Sequence, residues 1–143
     1  PLADLKVDPV FSFHARLALV KNLPTGASVS YGREYVLERD SRIGILTAGY
    51  GDAIPLPCGN RADVLLRGRR HPIVGRVTMD QTLVDLTDAD EDLQPGELIT
   101  LIGSQGSERL PLPELAAHSE TSPWELLCSV TKRVPRVYKT TRT

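Results

Sequence analysis

Three short clusters hold the side chains of this sequence best suited to chemistry. The first is Ser28-Val-Ser-Tyr-Gly-Arg-Glu-Tyr35, where the phenol of Tyr31 could donate or accept a proton. The second is Ala48-Gly-Tyr-Gly-Asp52, a strand end that opens into a Pro- and Gly-rich loop. The third, Val74-Gly-Arg-Val-Thr-Met-Asp-Gln81, sets polar Asp80 and Gln81 between two apolar runs. Strand ends and loops are where a rigid scaffold presents functional groups. A plainer role stays open for each cluster, because tyrosines are common at strand ends and Asp and Gln satisfy turn backbone. The motifs that mark phosphate loops, serine hydrolases, zinc proteases and dinucleotide folds are absent. His14, His71 and His118 are scattered, as expected of strand or surface residues. Cys58 and Cys128 form no CxxC pair, which leaves no zinc site of the usual spacing and points to structural, reduced thiols.

The elements that must position these clusters read mostly as strands. From Phe11 to Val20, Phe11, Phe13, Ala15, Leu17 and Leu19 fall on one side, with Ser12, His14 and Arg16 on the other. That is the period of two of a half-buried strand. Leu23-Pro-Thr-Gly26 turns the chain, and further strands are predicted at Ile43–Ala48, Asp63–Leu66, Ile73–Met79, Thr82–Leu86 and Leu98–Ile102. Arg67–Pro72 reads as the reversal of a hairpin, and Gln94-Pro-Gly-Glu97 as a type II turn. Asp88–Asp92 reads as a solvated acidic loop. Near the end, a short helix is predicted over Pro113–His118, and Ser122-Pro-Trp-Glu125 outlines a capping box for a second. Trp124, Leu127 and Cys128 would share one face of that helix, and Val134–Tyr138 reads as a last strand. The predicted fold class is mainly β: a single Greek-key-like β-barrel or sandwich with one or two short helices near the C-terminus.

The 143 residues suit one domain with a proper core. Seventeen Lys and Arg face 18 Asp and Glu, without the basic excess of an electrostatic nucleic-acid binder. No apolar run is long enough for a membrane-spanning helix, and no apolar, cleavable secretory segment stands at the front. The chain opens on Pro1, which suggests a piece of something longer.

Taken in order, the clusters resemble the C-terminal domain of alanine racemase, a pyridoxal-phosphate-dependent family of fold type III. The matching strings are Val29-Ser-Tyr-Gly32, Gly49-Tyr-Gly-Asp52, Pro72-Ile-Val-Gly-Arg-Val-Thr-Met-Asp-Gln81 with Val84-Asp85, Pro95-Gly-Glu97 and Arg133-Val-Pro-Arg-Val-Tyr138. The resemblance runs from about Val10 to Tyr138, and the Pro72–Asp85 string is the most specific. It implies that residues 1–143 are the C-terminal β domain of a cytoplasmic enzyme that interconverts L- and D-alanine for peptidoglycan. Pyridoxal 5'-phosphate would be bound mainly by an N-terminal (β/α)8 barrel, for which this chain has no room. It also implies a head-to-tail homodimer in which each β domain covers its partner's barrel.

By the same resemblance Tyr31 is the second catalytic base, facing the substrate Cα opposite the other subunit's cofactor-bearing lysine. Inverting the centre removes a proton on one face and returns one on the other, a task two groups share more easily than one. A phenol needs cationic or hydrogen-bonding help to act as a base, and in the family that help comes from the barrel. Met79 would meet the substrate carboxylate through its backbone N–H, with Asp80 beside it. Tyr50, Asp52 and Arg76 would line the entrance, and Trp124 would stand where many members place a tyrosine on the cofactor phosphate. Two departures follow: the family's usual Gly-Tyr-Ala-Asp-Gly and a nearby arginine are replaced here by Gly-Tyr-Gly-Asp-Ala and Leu56, and Trp124 replaces the tyrosine. None of the four lysines (Lys6, Lys21, Lys132, Lys139) lies in a matching motif, so the chain alone is expected to be inactive. The alternatives are a racemase of broader or serine specificity, one fused to a cell-wall ligase, or a binding module that has lost the chemistry.

Overall fold

The structure is a computed structural model and describes residues 8–139. Lys6 lies outside them. The described strands are β1 (Phe13–Leu23), β2 (Ser28–Val29), β3 (Tyr35–Val36), β4 (Ser41–Leu46), β5 (Asp63–Leu66), β6 (Arg69–Pro72), β7 (Thr82–Asp85), β8 (Leu98–Gln105) and β9 (Glu108–Leu110). Two helices follow, α1 (Leu112–His118) and α2 (Pro123–Cys128).

The main sheet is antiparallel, in the order β6-β5-β8-β1-β4-β7, with β9 on β8. The long strand β1 divides its pairing: Phe13–Arg16 face β8, and Leu17–Leu23 face β4. Its register slips near Leu17, so the sheet folds over at this strand and its two halves enclose the core. Phe13, Ala15 and Leu17 point into that core as the period of two requires, whereas Leu19, past the slip, is exposed. The two ends of the sheet meet at a single bridge, Ile73 to Val84. The sheet therefore stays sandwich-like, and of the two architectures expected from sequence the closed barrel is not realised. The β5–β6 hairpin turns through Arg67 and Gly68, both at positive φ, the geometry of a type I′ turn. The reversal is thus two residues long, and the rest of the expected turn is strand β6.

Three other local expectations are corrected. Ile73–Met79 is a loop, not a strand: Gly75 takes a left-handed φ of 71°, and its N–H is claimed by the Asn60 side chain at 2.5 Å. The run is apolar because Ile73, Val74 and Val77 plug the interior. Val134–Tyr138 pairs with no strand, because Arg136 folds back onto the carbonyls of Val130, Thr131 and Val134. On α2 the Ser122 hydroxyl accepts the Glu125 N–H at 3.1 Å as expected, but Leu126 is the buried residue. Trp124, Leu127 and Cys128 face outward. The acidic loop is exposed but not free, with Arg67 pairing to Asp90 and Asp92, and Arg39 to Asp88.

Cys58 is buried and shares a hydrogen bond with Ser119 at 3.2 Å; burial pushes its thiol up. His71, on strand β6 as one of the two expected placements, is also buried. Burial lowers its imidazole below the ordinary 6.5, against the opposing pull of a hydrogen bond to the Asp85 backbone. A base depressed in the folded state takes its proton more readily when unfolded. Its stabilisation is complete above about pH 6.5 and fades as pH falls through the lower folded value, by at most about 1.4 kcal/mol per pH unit. His14, lowered chiefly by partial burial, adds a slope of the same sign. Denaturation midpoints followed from about pH 8 down to about pH 5 should fall, and His71→Gln should flatten the decline. An equally steep decline in the variant would assign the slope to other groups.

Candidate active site

Tyr31 sits in a turn of 3-10 form, Tyr31–Arg33, between the paired strands β2 and β3. Its neighbours hold uncommon backbone. Ser30 lies at φ 66°, ψ −179°, a region essentially reserved for glycine, and Gly32 and Arg33 are left-handed at φ 78° and 53°. The loop that follows β6 locks this turn. The Ser30 hydroxyl donates to the Arg76 carbonyl at 2.7 Å, and the Arg76 Nε donates to Glu34 at 2.9 Å, with a second bond from its Nη2. That fork holds the Glu34 carboxyl below the usual carboxylate range. Gly75 passes so close that a Cβ there would overlap the Ser30 side chain.

The second cluster lies directly against the third. Tyr50 N–H donates to the Thr78 carbonyl and Gly51 N–H to the Met79 carbonyl, each at 2.9 Å. The Asp52 carboxylate accepts Gly49 N–H at 2.9 Å and closes the turn on itself. Thr78 and Gln81 pair through backbone and hydroxyl, making residues 78–81 a tight loop. Arg133 spans the two turns: Nε and Nη2 donate to Asp52 at 2.6 and 2.9 Å, Nη2 also to the Met79 carbonyl at 3.0 Å, and Nη1 lies 2.8 Å from Asp80. The carboxylates of Asp52 and then Asp80 strengthen the hold of its guanidinium on its proton.

These elements surround an open groove of about 620 Å³ lined by Tyr31, Tyr50, Leu56, Arg76, Met79 and Asp80, among others. Five of the residues singled out from sequence thus meet in one place: Tyr31, Tyr50, Arg76, Met79 and Asp80. Tyr31 and Met79 are 72% and 52% exposed, so their groups face outward. Asp52 lies beneath the groove, not on it, occupied by Gly49 and Arg133. Trp124 is an exposed side chain outside the lining. Sequence reasoning passed over two residues, Glu34 and Arg133. Arg133 stood inside a quoted string, but its partners are 81 and 54 positions away, where no local spacing could reveal them. Among the described residues, no three His, Cys, Asp or Glu are placed to hold a metal ion, and no helix is long and apolar enough to cross a membrane.

The family model described as the C-terminal domain of alanine racemase matches residues 10–138. The chain belongs to this family. The alanine racemase of Halothermothrix orenii is 40% identical over 136 residues, covering 95% of this chain and 35% of that protein. The alanine racemase of Bacillus anthracis, solved with bound L-Ala-P, superposes with a TM-score of 0.90 at 34% identity, over 96% of this chain and 35% of its own. That of Bartonella henselae, solved with covalently bound pyridoxal phosphate, gives 0.83 at 31% identity, over 90% and 34%. The chain therefore spans about a third of the alanine racemases it matches.

A covalent pyridoxal phosphate needs a lysine amine. Lys21, Lys132 and Lys139, the lysines among the described residues, are absent from the groove lining. Arg76 on the lining and Arg133 outside it are already paired with carboxylates. Within the described residues the groove therefore offers neither a lysine amine nor an unpaired arginine with which to hold that group.

The contact between the two turns carries a test. A Cβ on Gly49 would overlap the backbone carbonyls of Thr78 and Met79, whereas one on Gly51 would meet chiefly the Arg133 guanidinium, a side-chain end that can shift at the expense of its bonds to Asp52 and Met79. Gly49→Ala is expected to destabilise the protein by about 1–3 kcal/mol or more, and Gly51→Ala by clearly less. Equal denaturation midpoints for the two variants would mean that the loops separate freely.

Proposed function

We propose that this chain is the C-terminal β domain of a pyridoxal-phosphate-dependent alanine racemase. The whole protein would interconvert L- and D-alanine in the cytoplasm, supplying D-alanine for peptidoglycan. The observation that carries this reading is the convergence of Tyr31, Tyr50, Arg76, Met79 and Asp80 on one outward-facing groove. The groove lacks a cofactor lysine, and its key side chains point away from the domain, which suits a half-site completed by a partner's N-terminal barrel in a head-to-tail homodimer.

The division of labour follows from the chemistry. The cofactor, when bound, supplies an electron sink that makes the substrate Cα proton removable. Tyr31 moves a proton at Cα on the face this domain covers. Met79 offers its backbone N–H to the substrate carboxylate, and the peptide unit bearing that N–H is fixed through its other end, the Thr78 carbonyl held by Tyr50 N–H. Asp80 stands beside it; Tyr50 and Arg76 line the entrance, and Asp52 supports the entrance loop from below. The assignment of Trp124 to the cofactor rests on the family resemblance alone. Leu56, 57% exposed at the mouth, gives an apolar wall where an arginine was expected, and it is the residue through which acceptance of amino acids beyond alanine would act.

In the full-length protein Tyr31→Phe is expected to lower kcat for alanine racemisation by roughly 10²–10⁴-fold with a small change in KM. The chain alone should not racemise alanine. Retained turnover in Tyr31→Phe would refute the role of Tyr31, and turnover by the chain alone would refute the half-site. A full-length protein without turnover on alanine, serine or other small amino acids would favour the binding module.

A further inference from the structure

We infer that Arg133 is a positioning residue that both fixes and neutralises the substrate-carboxylate side of the groove. The inference rests on the reading just given. Three N–H-bearing nitrogens of one guanidinium reach three acceptors on two loops: the Asp52 carboxylate, the Met79 carbonyl and the Asp80 carboxylate. An isolated surface ion pair contributes little, because water screens it and two long side chains must be ordered to make it. Here the geometry differs. The fork onto Asp52 is bidentate, the Asp52 side chain is only 15% exposed, and that same carboxylate closes the turn bearing Tyr50. Arg133 therefore ties the Tyr50 turn to the loop bearing Met79 and Asp80, and it does so from outside the groove lining.

Its charge matters as much as its reach. Without Arg133, Asp52 and Asp80 would stand unneutralised beside a groove that must admit a carboxylate. Like charges repel, and near a protein surface that repulsion weakens substrate binding while leaving a distant proton transfer nearly untouched. Salt screens such a repulsion, so the defect should shrink at high ionic strength. A lysine could restore charge but not the fork, since an ammonium is a point charge with no planar pair of donors.

The test uses the full-length protein, with steady-state kinetics on L-alanine at low and high salt and hydrogen exchange over residues 49–53 and 78–81. Arg133→Ala is expected to raise KM about tenfold at low salt, to change kcat less than about threefold, and to lose much of the KM defect at high salt. Arg133→Lys should recover part of it, and adding Asp80→Asn to Arg133→Ala should lower KM again by removing one repelling charge. Exchange in both segments should quicken in Arg133→Ala and stay unchanged elsewhere. An unaltered KM, or a loss confined to kcat with no salt dependence, would overturn the inference. Should the unmutated protein fail to racemise alanine, the proposed function fails, and the exchange measurement alone decides the clamp: unchanged exchange overturns it and faster exchange sustains it.

Discussion

The candidate site depends on backbone lying against backbone. Residues 49–51 pack on Thr78 and Met79 with two amide-to-carbonyl bonds between them, and a side chain on Gly49 would push them apart. Segment 74–81 then extends this contact to the Tyr31 turn, where Gly75 and the Arg76 carbonyl receive Ser30. All three clusters are thus joined through one loop that is not itself a strand. That loop can serve as a frame because its apolar residues, Val74 and Val77, are buried while Arg76, Met79 and Asp80 are displayed. A sheet would have given the same alternation, but a ladder would also have consumed the carbonyls and amides that here tie neighbouring loops together.

The charges at the groove follow from this packing. Arg76 is matched by Glu34, and Arg133 by Asp52 and Asp80, so two cations meet three carboxylates and no arginine among them is left unpaired. Ion pairs of this kind contribute little to stability where water reaches them. Their value here is directional, since each joins side chains far apart in sequence and fixes one turn relative to another. With Leu56 in place of an entrance arginine, the mouth has an apolar wall and a slight excess of negative charge. Its attraction for the carboxylate of an amino acid would then have to come from backbone N–H groups and from whatever faces it.

Much of the fold was legible because strand alternation and turn chemistry act locally. Phe13, Ala15 and Leu17 fell inward as their spacing required, and Gly96 adopts the left-handed φ that the type II turn at Gln94–Glu97 demands. Where local reading failed, a distant group had intervened. Asn60 and Ser30 took up the backbone of a run that read as strand 73–79, and Arg136 did so for 134–138. The face of α2 was inverted because two candidate stripes were possible, and only tertiary packing chose Leu126. Five of the seven proposed site residues meet in the groove through strings whose order carried a family resemblance; no spacing rule led to them. Glu34 and Arg133 carried no signal, because each acts through a partner that only folding brings near.

The Tyr31 turn carries a cost that nothing within the domain recovers through Tyr31 itself. Ser30 in a glycine-type conformation costs on the order of 1–3 kcal/mol, and Arg33 adds a second left-handed residue. The turn persists because its surroundings hold it: the β2–β3 pair stands on a small core of Val29, Leu37, Ile43 and Val74, and Arg76 secures it twice. Yet the tyrosine so positioned projects into solvent and buries little area of its own. A domain selected for its own stability alone would relax such a turn, with glycine at position 30 or a smaller group at 31. Strain held in place in order to display an uncovered phenol suits the proposed half-site, in which the surface that would make use of Tyr31 belongs to a partner chain.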